Sequence, residues 1–128
     1  MTLSVCRDAE GNEGMVNISV SDVLYMSHER KSGRIAVYTT QDKYYMTGTV
    51  KYWENVLNSS DYKFYLVDRG TLINVPNITA INVIYKVAFF GQDFSRKSSK
   101  CELAHHRFLN TVDELYSLNP TIQIIAPG

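Results

Sequence analysis

The chain has 128 residues, of which 45% are hydrophobic and 20% are charged, and its 13 basic and 13 acidic residues cancel. This length and composition predict one globular domain over residues 1–128 with a single core. The neutral balance excludes a global attraction to nucleic acid or membrane, so a nucleic-acid site needs a local basic cluster. The sequence shows no signal-peptide pattern and no apolar run of membrane-spanning length, which predicts a cytoplasmic protein without membrane insertion.

The first part of the chain predicts short strands separated by turns. Alternating or continuous apolar residues are typical of half-buried and buried strands. The predicted strands cover residues 3–6, 15–20, 23–26, 34–39 and 43–46. A turn-rich acidic stretch, 8–14, separates the first two strands, and Lys31-Ser32-Gly33 and Gln41-Asp42 form later turns with the spacing of hairpins.

Two short helices are predicted. The first begins after Thr49, a suitable N-cap, and runs to residue 57 with Trp53 packed into the core. The second begins near residues 105–106 and ends before Asn119-Pro120. Its predicted apolar face consists of Phe108, Leu109, Val112 and Leu115.

The rest of the chain adds apolar segments. Residues 64–67 and 71–74 read as two strands around a polar break, and 78–90 is alternating at first and then strongly apolar. The tail, 119–128, contains three isoleucines and predicts an extra strand or an interaction segment. The predicted class is therefore mainly β with two short helices.

Motifs of catalysis do not occur in the sequence. It has no glycine-rich phosphate loop, no His-Glu-x-x-His and no nucleophile elbow, and its carboxylates are scattered, so we expect neither an enzyme nor a cofactor. Cys6 and Cys101 are far apart and are predicted to be free thiols. Cys101 with His105 and His106 provides too few ligands for structural zinc, so no metal is expected.

The most informative segment is residues 64–78, Phe-Tyr-Leu-Val-Asp-Arg-Gly-Thr-Leu-Ile-Asn-Val-Pro-Asn-Ile. It resembles the signature of the LytTR family of bacterial DNA-binding domains, roughly Phe-x-Arg-x-His-Arg-Ser-x-Leu-Val-Asn-x-x-x-Ile. Residues 22–26, Asp-Val-Leu-Tyr-Met, are similar to the family's Asp-Ile-Leu-Tyr-Ile-Glu strand. The resemblance extends over about residues 12–112.

This resemblance implies a sequence-specific transcriptional regulator with an elongated arrangement of three small β-sheets. Its loops would enter successive major grooves of double-stranded DNA and read direct repeats, with two copies of the chain on each site. The chain has no room for an amino-terminal receiver domain, so we expect a free-standing regulator or a domain of a longer protein. A free-standing regulator would be controlled by an inhibitor protein or by its expression level.

The resemblance also implies which residues contact DNA. The turn at 31–34 lies where the family has a contact loop, Arg69 follows the position of the family's His, and Arg107 matches the Arg of a carboxy-terminal Ser-x-Arg segment. Residues 86–107 hold five basic and two acidic side chains, which favours phosphate contacts. The predicted DNA-binding residues are Lys31, Ser32, Arg34, Arg69, Lys97, Lys100 and Arg107.

Some positions depart from the family pattern. Asp68 replaces the usual His, and we expect it to repel phosphate, to accept from a cytosine amino group or to orient Arg69. Gly33, Gly70 and His105 also replace family side chains. The alternative function is a LytTR-like protein-interaction module that has lost DNA binding, which Asp68, the neutral charge and the apolar tail favour. Asn74 is expected to bond nearby backbone groups.

Overall fold

The computed structural model describes residues 1–91, 100–103 and 107–126. Within these ranges the chain forms eleven strands in two sheets and two α-helices. The strands are β1 (Thr2–Cys6), β2 (Met15–Ser19), β3 (Val23–Glu29), β4 (Arg34–Thr39), β5 (Lys43–Met46), β6 (Phe64–Asp68), β7 (Thr71–Asn74), β8 (Ile78–Asn82), β9 (Val87–Phe90), β10 (Lys100–Glu102) and β11 (Gln123–Ile125). The helices are α1 (Val50–Ser59) and α2 (Phe108–Leu118). The predicted mainly β class with two helices is confirmed.

Seven strands form one antiparallel sheet in the order β2-β1-β5-β4-β3-β7-β6. The predicted hairpin turns after β3 and β4 are confirmed, and Gly33 adopts a φ of 72° in the first of them. β1 joins β5 where Cys6 lies opposite Tyr45, and this pairing fuses the amino-terminal hairpin with the following strands. The expectation of three small sheets is therefore wrong for the described residues, which form a seven-stranded and a four-stranded sheet.

The larger sheet is covered on both faces. On one face, buried side chains such as Met26, Ile35 and Leu72 form a core cluster with Leu57 of α1. On the other face, Ile73 and its neighbours pack against the four-stranded sheet and α2. The chain thus has one apolar layer on each side of the larger sheet, which is a common way to bury both faces of a sheet.

Helix α1 begins as predicted, continues two residues beyond the predicted end at residue 57, and differs from its prediction at Trp53. The Thr49 side chain accepts a hydrogen bond from the Tyr52 amide at 3.1 Å, as expected for an N-cap. Trp53 is only partly buried, because its indole N–H donates to the Thr47 carbonyl at 3.0 Å and this bond holds the ring at the margin of the core. Gly48 makes room for the ring, since a Cβ there would lie 3.0 Å from the indole nitrogen.

Helix α2 buries Phe108, Val112 and Leu115 as predicted, but Leu109 is 72% exposed. The fourth buried position is Thr111, so the inward face follows the spacing i, i+3, i+4, i+7 from Phe108. Leu109 lies about 100° around the helix from Phe108, which turns it to solvent.

Four strands form the second sheet in the order β10-β9-β8-β11. β11 runs parallel to β8, with Ile124 opposite Ile81, so the extra strand predicted in the tail is confirmed. The short strand β10 was not predicted, because its three residues, Lys-Cys-Glu, carry no strand pattern of their own.

Buried asparagines fix the connections between the elements. Asn74 donates its side-chain N–H to the Val23 carbonyl at 2.8 Å, and Asn119 donates to Val75 and Ile78 at 3.0 and 3.3 Å. The expectation that Asn74 bonds nearby backbone is wrong, since its partner lies 51 positions away. These bonds link backbone carbonyls of distant segments, and the Val23 carbonyl also accepts from the Asn77 side chain at 2.8 Å.

The two cysteines are unpaired, as predicted. Cys6 is partly buried, whereas burial raises the pKa of the Cys101 thiol to about 12, and the nearby Asp68 carboxylate acts in the same direction. Cys101 therefore remains a neutral, unreactive thiol at physiological pH. In the part of the chain that is described, no helix has the length and apolarity needed to cross a membrane.

Candidate nucleic-acid interface

Two hairpin turns emerge at the same end of the seven-stranded sheet. Ser27 of β3 lies opposite Thr71 of β7, and the His28 amide donates to the Gly70 carbonyl at 2.8 Å. The β3–β4 turn, 30–33, continues from this same end of β3, because β3 is antiparallel to both neighbours. We call the end that carries the turns 30–33 and 69–70 the open end of the sheet.

The β3–β4 turn is tied to the β1–β2 loop. Arg34 donates from Nε to the Ala9 carbonyl at 3.1 Å, and its amide donates to the Ser32 hydroxyl at 3.2 Å. Lys31 is exposed at the tip of the turn. Of the three residues predicted to bind DNA here, Lys31 projects into solvent, whereas Ser32 and Arg34 make internal bonds that shape the turn.

The loop that Arg34 holds has its own internal order. The Asp8 carboxylate accepts hydrogen bonds from the Asn12 and Glu13 amides, each at 2.9 Å. The bond from Glu13 is the main reason that the pKa of the Asp8 carboxyl is lowered. The loop therefore gives Arg34 a fixed carbonyl to bind, although the loop is itself exposed.

Asp68 shapes the β6–β7 turn. Its carboxylate accepts the Gly70 amide at 2.8 Å, a side-chain bond that stabilises tight turns. The strand pairing also shifts by one residue between Leu66 and Asp68, which marks a bulge just before the turn. The Asp68 carboxylate thus stabilises the turn. This role is not among the three predicted for Asp68, which were to repel phosphate, to accept from cytosine and to orient Arg69.

Arg69 and Arg107 lie on one cleft of about 350 Å³ between the β6–β7 turn and the start of α2. Both residues are exposed. The cleft is lined by Tyr65, Leu66, Val67, Asp68, Arg69, Arg107, Asn110, Thr111 and Glu114. The structure therefore brings together two predicted contact residues that are far apart in the sequence.

The helical wall of the cleft was missed by the sequence reasoning. Arg107, Asn110 and Glu114 are spaced at i, i+3 and i+7, so they share one face of α2. The Tyr65 hydroxyl donates to the Glu114 carboxylate across the cleft. Burial, with this bond as the second cause, raises the pKa of Tyr65 to about 12, so the hydroxyl stays a donor. Counting helical positions from Arg107 would have identified this wall.

The remaining predicted residues lie elsewhere. Lys100 is exposed at the start of β10, opposite Phe89 of β9, and does not line the cleft. Lys97 lies outside the residues that the structure describes, as do His105 and His106. The site formed by the described residues is thus the cleft with its two arginines, together with the neighbouring turn that carries Lys31.

Comparison with known proteins identifies the family to which the chain belongs. The model of the LytTr DNA-binding domain matches residues 13–99, more than half of the chain. The chain therefore belongs to the LytTr DNA-binding domain family, and the resemblance in the sequence is confirmed. A search of curated proteins finds no match.

A solved structure supports the same fold. The chain is similar to the LytTr DNA-binding domain of a protein described as a methyl-accepting/DNA response regulator from Bacillus cereus, with a TM-score of 0.64 and 16% identity. The similarity covers 89% of this chain and 94% of that chain. At this level of identity the likeness establishes the fold and does not transfer individual site residues.

Proposed function

We propose that this chain is a sequence-specific transcriptional regulator that binds double-stranded DNA through the open end of its seven-stranded sheet. The observation that carries the proposal is the joint position of Arg69 and Arg107 on one exposed cleft. Family membership supports DNA as the ligand. An arginine reads guanine by two parallel hydrogen bonds in the major groove, which suits side chains exposed on turns.

The other predicted residues then divide by their task. Lys31 at the tip of its turn, with Lys97 and Lys100, would contact phosphates and set the register of the protein on the duplex. Ser32 and Arg34 would act through the shape of the turn, because their polar atoms bond within the protein. In this proposal the turns of the open end enter successive major grooves, and two copies occupy direct repeats.

Regulation would come from outside the DNA site. We propose two forms of control: a homodimer that forms only on DNA, and an inhibitor protein that covers the exposed open end. We propose a cytoplasmic location, where DNA is accessible and the free thiols Cys6 and Cys101 stay reduced.

A second candidate function is protein interaction without DNA binding. Asp68 and Glu114 place carboxylates in the same cleft as the two arginines, which lowers the positive potential there. A partner protein with its own charged groups would tolerate such mixed charge better than a duplex, whose phosphates are uniformly negative.

Salt dependence separates the two functions. The chain is titrated with a duplex selected from a random library and with a scrambled duplex, each at two salt concentrations. DNA binding predicts preference for the selected duplex and a logarithmic slope of about 0.9 for every phosphate contacted. Absence of binding to both duplexes at low salt contradicts the regulator and leaves the protein-interaction module.

A further inference from the structure

The turn between β8 and β9 exposes two apolar side chains. Ile84 is 59% exposed and Tyr85 is 75% exposed, the highest value for a large hydrophobic residue in the described part of the chain. Neither residue belongs to the cleft or to any contact predicted from the sequence. Exposed apolar side chains in a row are unusual at the tip of a turn, where polar residues dominate.

This turn is held in a fixed conformation. The Asn82 side chain accepts hydrogen bonds from the Ile84 and Tyr85 amides, each at 2.9 Å. The Val83 amide donates to the Ile125 carbonyl at 3.0 Å, which anchors the turn to β11. Tyr85 is therefore presented on an ordered support, so that binding through it loses little conformational entropy.

The turn lies beside the start of α2. The Leu103 amide donates to the Lys86 carbonyl at 2.8 Å, and the Lys86 ammonium lies 5.7 Å from the centre of the Phe108 ring. Phe108, the first residue of α2, directly follows Arg107 of the cleft. Lys86, which directly follows Tyr85, therefore connects this turn to the first residue of α2.

We propose that the β8–β9 turn is a further DNA contact, in which Tyr85 packs on the sugar–phosphate backbone and donates its hydroxyl to a phosphate oxygen. This inference rests on the proposed function and extends its footprint beyond the cleft. Tyrosine is among the side chains that bond phosphate oxygens, and its ring covers the apolar part of a sugar. The exposed positive charge of Lys86, which directly follows Tyr85, favours a phosphate at this place.

A protein partner is a weaker explanation of the same tip. Two side chains on a convex turn cover only a small part of the roughly 800 Å² that each partner contributes to a stable protein interface. A duplex that the cleft already binds needs no such area at the turn, because one side chain can add a contact to one phosphate.

The test compares Tyr85→Ala and Tyr85→Phe with Tyr52→Ala on a one-site duplex, which holds a single one of the direct repeats and therefore one copy of the chain. Tyr52 is a matched control, since it is 59% exposed and lies on α1, on the opposite face of the seven-stranded sheet. We expect Tyr85→Ala to weaken binding to selected and scrambled duplexes alike by roughly five- to tenfold, with Tyr85→Phe between it and the wild type. Thermal unfolding should stay unchanged, and the salt slope should stay that of the wild type because no charge is removed.

Two outcomes overturn this inference while leaving the proposed function intact. In the first, Tyr85→Ala binds the one-site duplex as tightly as Tyr52→Ala and the wild type. In the second, its loss occurs only on a duplex with two sites, which would make the tip a contact between neighbouring copies. Failure of the wild type to bind any duplex is a separate result, seen without the variants, and it overturns both proposals.

Discussion

The two ends of the seven-stranded sheet use polar side chains in opposite ways. At the end where β3 begins and β7 ends, Asn74 and Asn119 are buried and bond backbone carbonyls from distant segments. We call this the clamped end. At the open end and on the cleft beside it, the side chains of Lys31, Arg69 and Arg107 are exposed. The difference indicates that the clamped end specifies the fold, whereas the open end is available for a ligand.

This comparison can be tested with variants at each end. Changes at the clamped end should alter the free energy of unfolding, and changes at the open end should alter DNA binding. Sites that share no partners usually contribute additively to the free energy of unfolding. Each prediction below therefore pairs a variant with a chemically matched control.

The largest effect is expected for the core face of α2. Leu115→Ala should lower the free energy of unfolding by about 2–5 kcal/mol, because Leu115 is fully buried and its loss leaves a cavity. Leu109→Ala, on the exposed side of the same helix, should change it by less than about 0.5 kcal/mol. Urea unfolding of the two variants measures the difference, and equal losses would contradict the observed rotation of the helix.

A smaller loss is expected at the clamped end. Asn74→Ala should cost about 1–3 kcal/mol of unfolding free energy, since the two hydrogen bonds from its buried amide to the Val20 and Val23 carbonyls are lost. Asn110→Ala is the control, because Asn110 is an exposed asparagine of the cleft. Chemical denaturation followed by circular dichroism compares them. A control as destabilised as Asn74→Ala would remove the distinction between the two ends.

Much of this architecture follows from local sequence. The first hairpins are predicted because alternation and turn residues lie within a few positions of each other. The partner of Asn74 and the joining of β1 to β5 are long-range contacts, which no local pattern encodes. Leu109 was misplaced because an apolar residue next to Phe108 was counted with the inward face.

Less of the candidate site than of the fold could be predicted from the sequence. Arg69 and Arg107 were identified by family resemblance, and only the structure places them on one cleft. Helical spacing from Arg107 indicates the position of Glu114, but the contact of Glu114 with Tyr65 joins a helix to a strand and has no signal in one sequence. The internal bond of Arg34 was missed for the same reason.

The smallest predicted effect concerns the ion pair beside the β3–β4 turn. Lys43 lies 2.7 Å from the Glu29 carboxylate and, by this hydrogen bond, lowers the pKa of Glu29 below its ordinary value of 4.5. Because the folded pKa is the lower one, the stabilisation is present above pH 4.5 and is lost as the pH falls through the folded value.

The partly exposed pair contributes at most about 1 kcal/mol after solvent screening. Glu29→Gln should therefore reduce the free energy of unfolding slightly at pH 7, and its difference from the wild type should shrink at an acidic pH below the folded pKa of Glu29. Thermal unfolding at both pH values, at low salt, measures this. If the stability difference between the variant and the wild type is equally large at the acidic pH, the ion pair is not its cause.

The most direct test of the DNA-binding role of the open end is a double-mutant cycle on Arg69 and Arg107. Binding of the wild type, Arg69→Ala, Arg107→Ala and the double variant is titrated against the selected and scrambled duplexes, with unfolding measured in parallel. Each single change should cost about 1–3 kcal/mol on the selected duplex and relax base preference at one position. The double variant should depart from additivity, because the two arginines share one cleft, while the free energy of unfolding stays unchanged. Wild-type affinity and preference in both single variants would contradict the assignment of this cleft to DNA.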